Sequence, residues 1–377
     1  MNAQNVDSKP KVRKETKNKI KVDFERTSFK ERFKAKFLTF TFAKKVLWAL
    51  VRYILLVGIA YIVLFPFFSK ISASVMAPED FNDSMVRLIP KNFSLDIYKA
   101  IFVEQEYMKA FGNTLVLSLS TALIQTFICS FIAYGFAKFK FKGNKILFAL
   151  VILTMIIPHR TLASAMRGAF LKFDILGIFR FFSGGGFSIL GFEYNNDFLS
   201  SINLLGGLGK RFTASGIDLL DTYWPFMILS FCGLAFKNGL YIFLLRQFFM
   251  GVPDELEESA YIDGSGVFRT FFTIILPISI PMMITVFLFA FSWQWTDMFY
   301  TSTSMFVKNP NTMPYLLTTD IGFKMPGSLD GLVANGKWEA AVKSTGGLMI
   351  IAPLVVMYLF CQKYLVQGIE RSGLTAD

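Results

Sequence analysis

Cysteine and histidine are scarce in this chain, with three and one among 377 residues. Cys129, Cys232 and Cys361 all fall inside apolar stretches and show no CxxC spacing, so neither a disulfide framework nor a cysteine zinc site is indicated. A phosphate-binding GxxxxGKS/T string is missing as well. The nearest approach, GGLGKR at 206–211, lacks both the first glycine and the final hydroxyl residue, so no nucleotide site is indicated. HExxH, GxSxG and paired acids within an apolar stretch are also missing, which argues against an enzyme embedded in a membrane. Charged residues make up only 18% of the chain.

Apolar residues fill the space: 53% of the chain is hydrophobic, 44 residues are phenylalanine, and the mean hydropathy is +0.47. One soluble core cannot hide so much apolar surface, and a bilayer is the natural solvent for the excess. Six windows have the ~20-residue length that crosses a ~30 Å hydrocarbon core as a helix. They lie near 47–68, 113–136, 146–166, 223–245, 275–297 and 345–366. The first reads as a span rather than a cleaved signal, because 46 residues precede it and no small-residue cleavage site follows. The expected fold is an all-α, polytopic membrane protein with six transmembrane helices.

Six spans put both termini on one side, and the basic residues decide which. Tail 1–46 alone carries 14 basic and 5 acidic residues; its whole side sums to +10, whereas the opposite loops sum to zero. Both termini are therefore expected in the cytoplasm. The basic excess, which gives an isoelectric point of 9.4, then faces anionic lipid headgroups and requires no nucleic acid. Within the basic tail 1–45, Phe29, Phe33, Phe37 and Phe40 recur at helical spacing among lysines and arginines, as an interfacial helix requires. Residues 1–25 read as disordered.

The cytoplasmic loop 250–273 differs from its basic surroundings by being acid-rich, with five acidic and two basic residues over 246–272. Pro253 suits a first helical turn, Asp254 and Glu255 suit its positive end, and Gly264 suits a left-handed stop, so a short helix is predicted over about 253–263. On it, Glu255, Glu258 and Ile262 share a face, Leu256 and Ala260 share another, and small Ser259 and Ala260 allow close approach by a partner. A second short helix is expected after Gly264 and before Pro277.

This string closely resembles the EAA signature of ABC importer permeases. Glu258, Ser259 and Ala260 stand at E-A-A, Asp263 and Gly264 at the following D-G, and LPISIP at L-P-x-x-x-P, with Ser259 departing from the commoner alanine. GNTLVLSLSTALI at 112–124, AYGFAKFKFKGNK at 133–145, DTYWPFMI at 221–228 and FLLRQFF at 243–249 extend the resemblance to the maltose-type carbohydrate permease family over roughly 45–370. The resemblance implies a type I importer permease domain over 46–370 in a bacterial plasma membrane. It further implies a homologous sister permease, two ATPase subunits that bind ATP and magnesium, and an extracellular carbohydrate-binding lipoprotein. Glu258, Ser259, Ala260, Asp263 and Gly264 would then form the coupling loop seated in the ATPase.

At the far end of the fifth window, FSWQWTDMFY sets Trp293, Gln294, Trp295 and Asp297 where aromatic faces and a few polar groups suit a sugar path. An aromatic belt at the membrane interface is the competing reading, favoured for Trp295 and Tyr300. Asp297 near a span end needs water, a partner subunit or a cation. Related permeases carry asparagine where this chain has Thr296. Arg52 and Lys237 are expected to snorkel to the headgroups. His159, after Pro158, fits a helix break better than a proton relay. Relay chemistry would suit the alternative reading, a secondary transporter for a small solute, which also predicts paired membrane charges and an internal repeat. Residues 171–216, with GGG at 184–186, read as an extracellular insertion.

Overall fold

In the computed structural model, the described residues are 40–174, 187–189, 192–194, 212–213, 216–235, 237–301, 305–308, 316–321, 325–333 and 336–371. The expected interfacial helix of the tail lies outside them, as does most of the 171–216 insertion. From that insertion the structure describes residues 171–174 and short antiparallel pairings, β1 (Phe187–Ile189) with β2 (Phe192–Tyr194), and β3 (Phe212–Thr213) with β4 (Gly216–Ile217). These ribbons are a small addition to an otherwise helical chain.

The chain divides into two units, Met1–Phe67 and Phe68–Asp377. The described part of the first is the leading stretch of α1 (Phe40–Ser74), whose apolar side chains, Leu47 and Ile62 among them, are exposed. In the second unit, α2 (Asp96–Glu104) leads into α3 (Tyr107–Lys138), followed by α4 (Asn144–Ile156) and α5 (His159–Leu171). Next come α6 (Trp224–Phe231), α7 (Asn238–Met250), α8 (Glu255–Ile262), a helical segment α9 (Val267–Ile278) and α10 (Ile280–Trp295). A single turn, α11 (Leu317–Asp320), precedes α12 (Gly336–Arg371).

Among the described residues, three helices are long and apolar enough to cross a bilayer: Lys44–Ser74, Tyr107–Lys138 and Gly336–Gly368. Two further candidates are bent pairs, α4 with α5 at 100° and α9 with α10 at 78°. Local chemistry explains the first bend. Pro158 has no N–H to donate and drives the preceding residue out of the helical region, and Ile157 is extended at φ −66°, ψ 121°. His159 opens the next helix, in agreement with the break expected there. The window at 223–245 is divided too, into α6 and α7. Gly233 takes a φ of +70°, a conformation that closes helices readily only when the residue has no Cβ, and Lys237 enters α7 at the same positive φ.

α3 is the central helix of the second unit. Its buried positions include Ala110, Thr114, Leu117, Thr121, Gln125, Cys129 and Ala133, a three- and four-residue spacing of mostly small side chains. Small residues let neighbouring backbones approach where lipid offers no hydrophobic drive between helices, and α7 and α10 pack on this face. Tyr107 Oη donates to Met349 O at 2.9 Å, fastening α12 to the start of α3. Cys129 is buried, Cys232 is exposed, and no cysteine is paired.

Candidate functional site

Two places carry the polar chemistry, the α7–α10 connection and the opposite end of α10. In the first, Asp254 sits at the start of α8 and its carbonyl accepts the N–H groups of Glu257 and Glu258, each at 3.0 Å. The helix stops as its sequence demands. Gly264, at φ +80°, donates to Tyr261 O at 3.0 Å, and Ser265 N–H donates to Ala260 O at 2.9 Å. This paired closure requires the left-handed residue that glycine supplies.

Of the five residues assigned to coupling, Glu258, Ser259, Asp263 and Gly264 are exposed. Ala260 is buried, so its small size serves packing within the chain, and the expected contact of this residue with a partner is corrected. Ser259 Oγ turns back to donate to Glu255 O at 2.7 Å. Ile262 projects with 86% of its surface open, beside exposed Glu255 and Glu258, and among the described residues neither of these glutamates forms an ion pair. Leu256 is exposed, and so does not share Ala260's inward face.

Sequence reasoning missed a cluster beneath this helix. Lys138, in the last turn of α3, has a side chain only 6% exposed. Its Nζ donates to Val252 O and to Asp254 Oδ1, both at 2.6 Å, and lies 3.6 Å from Glu257 Oε1. Tyr134 Oη donates to Glu257 Oε2 at 3.3 Å. Lys138 belongs to AYGFAKFKFKGNK, and the one lysine of that string preceded by a run of apolar residues at helical spacing is the one that turns inward. The Lys138 hydrogen bond and charge hold the Asp254 carboxyl below the usual aspartate range. α9 then contains a π turn over Phe271–Ile275 and gives way to α10 at Ser279, between Pro277 and Pro281. π turns and prolines both interrupt the regular ladder and create places where a helix can bend.

At the other end of α10 the chosen residues separate. Trp295 is 1% exposed; its Nε1 donates to Ile350 O at 2.9 Å, and its ring meets Phe111 edge-on and Phe291 in a stack. It is a core side chain joining α10 to α12, and both the sugar-path and the interface-belt expectations for it are corrected. Tyr300 is buried as well, with Oη 2.9 Å from His159 Nδ1 and its ring stacked on Phe306, so the belt reading fails there too. Asp297 solves its burial internally: Oδ1 accepts from the N–H groups of Phe299 and Tyr300, and Oδ2 from that of Thr301. Trp293 stays half open, and Lys237 Nζ lies 4.8 Å from its ring centroid, a cation–π contact.

Gln125, Ser230, Trp293, Gln294 and Asp297 line a cavity of about 20 Å³, room for little more than a water molecule. Gln294 Nε2 has no hydrogen-bond partner there. Next to it, sharing Leu229 and Ala235, a crevice of about 650 Å³ runs between the α4–α5 bend and the α6–α7 break, past Pro158, His159 and Lys237. Of these two, the crevice has the volume of a small-ligand site. Among the described residues no cluster of histidine, cysteine or acid is arranged to hold a metal.

Comparison with known proteins gives a consistent result. The family described as binding-protein-dependent transport system inner membrane component matches residues 125–371. The galactooligosaccharides transport system permease protein GanQ of Bacillus subtilis (strain 168) is 26% identical over 324 residues, 85% of this chain and 93% of its own. The polygalacturonan/rhamnogalacturonan transport system permease protein YtcP of the same organism is 25% identical over 330 residues, 86% of this chain and 97% of its own. Among solved structures, one from a bacterial ABC transporter involved in the import of the acidic polysaccharide alginate has a TM-score of 0.61 at 18% identity, covering 85% of this chain and 97% of that one. The last likeness speaks to fold.

Proposed function

Because the chain belongs to the family of binding-protein-dependent transport system inner membrane components, we propose that it works as the permease subunit of an ABC importer for a carbohydrate, with α8 as its contact to the ATPase. It lies in the membrane and performs transport rather than catalysis. Relatives named for galactooligosaccharides, polygalacturonan and maltodextrin support a sugar or oligosaccharide as cargo.

Around this subunit we place a homologous sister permease that completes the pore, two ATPase subunits that carry ATP and magnesium, and an extracellular carbohydrate-binding lipoprotein. The charge asymmetry supports cytoplasmic termini, which puts α8 on the ATPase side. One observation carries the coupling role: α8 offers Glu255, Glu258 and Ile262 to solvent while its other face is held within the chain. Carboxylates around an apolar knob suit a cleft with basic walls and an apolar floor. Movement of the ATPase pair would reach the spans as rigid-body displacement, with the bend at Ser279 absorbing the change of direction. On the outer half, half-exposed Trp293 is the path residue best placed to meet a sugar, and the crevice beside His159 and Lys237 is the space large enough to hold one.

The test is transport by the reconstituted importer with Glu258→Lys and Gly264→Val combined. Valine resists a positive φ, and lysine opposes the charge that the cleft would recognise. Loss of sugar uptake with the chain still inserted in the membrane is expected; full uptake with normal ATPase assembly would refute the coupling role.

A further inference from the structure

We propose that Lys138 is a positioning residue that locks the coupling helix α8 to the end of the central helix α3, so that a push on α8 is delivered directly to α3. The inference rests on the coupling role proposed above for α8. A single buried ammonium joins three pieces of chain. It leaves α3 in its last turn, where the helix dipole favours a cation. It reaches the Val252 carbonyl just beyond α7, and it engages Asp254 at the start of α8 and Glu257 in its first turn. Tyr134, one turn earlier on α3, adds a second tie to Glu257.

The two covalent exits from α8 are unequal routes for force. Toward its C-terminus the chain passes through Gly264, a π turn and the 78° bend at Ser279 before reaching α10. Each of these can absorb displacement. Toward its N-terminus the Lys138 contacts begin at once, on Val252 and Asp254 just before α8 and on Glu257 within it, and the ammonium is buried although the Asp254 carboxylate is open to solvent. A buried charge held by two acceptors at 2.6 Å, with a second carboxylate, buried Glu257, 3.6 Å away, cannot slide without leaving the ammonium and Glu257 uncompensated. Lys138 therefore fixes α8 to the helix that packs against both α7 and α10, and the stroke enters the bundle at its centre.

The experiment uses the complete importer in proteoliposomes, with binding protein and sugar supplied, and reads sugar molecules transported per ATP hydrolysed. Lys138→Met keeps most of the side-chain volume and removes the charge. It is expected to lower that ratio by about fivefold or more, the lower end of typical coupling effects, with ATPase subunits still co-purifying. Lys138→Arg should restore most of the ratio, a rescue that simple space filling would not give. If Lys138→Met fails to assemble, Glu257→Gln, which leaves the Asp254 contact in place, is read in its stead with the same expected direction. A wild-type ratio in whichever of these variants assembles overturns the proposal. Glu258→Lys, measured alongside, separates the two readings: a normal ratio there refutes the coupling role of α8, whereas a collapsed ratio there beside a normal Lys138→Met refutes only the positioning role.

Discussion

The two ends of α10 use acidic side chains in opposite ways. Before the helix, Asp254 and Glu257 are tied to Lys138, but Glu255 and Glu258 stand open on the same short helix. After it, Asp297 has three backbone N–H groups closing on its two oxygens. A carboxylate in a loop thus tells little about function until its hydrogen bonds are counted. Where the backbone supplies the donors, the group builds a turn; where it does not, the group is available to another molecule.

Mutations can break this contrast if it is wrong. The largest effect belongs to the C-terminal end of α10: Trp295→Ala should cost about 3–5 kcal/mol by removing a buried aromatic, seen as early thermal unfolding in detergent. Survival of the fold with a specific loss of sugar affinity would return Trp295 to the transport path. Asp297→Ala leaves three backbone donors without an acceptor and should cost about 1–3 kcal/mol in the same assay, with a milder loss for Asp297→Asn. On α8, Glu258→Ala should change stability by no more than about 0.5 kcal/mol while uptake falls sharply.

The smallest effect concerns pH. Lys138 depresses the Asp254 carboxyl, so its contribution is present above the ordinary aspartate value and is lost only as pH falls through the lower, folded one. Transport per ATP should therefore be insensitive to this group between about pH 5 and 8, and a titration within that window that disappears in Asp254→Asn would show the assignment to be mistaken.

The end that carries α8 was the more legible of the two. Pro253, the acidic first turn and Gly264 are local signals, and they specify a helix whose bounds follow from backbone rules alone. The burial of Ala260 and the inward turn of Lys138 depend on where α3 lies, which periodicity in one segment does not reveal. Trp295 and Trp293 sit two residues apart in the same string, yet one is core and one is open; only the position of α12 separates them. The bend at Pro158 was readable because proline acts on its own neighbour, whereas the break between α6 and α7 lies in a window apolar enough to read as one span and hangs on a positive φ at Lys237 as well as at Gly233.

The most direct test of the account is photo-cross-linking in the assembled importer, with a photoreactive residue placed at Ile262 and, separately, at Trp293. The Ile262 probe is expected to capture an ATPase subunit and the Trp293 probe none; an ATPase adduct at Trp293, or its absence at Ile262, would contradict the assignment of the coupling surface to α8.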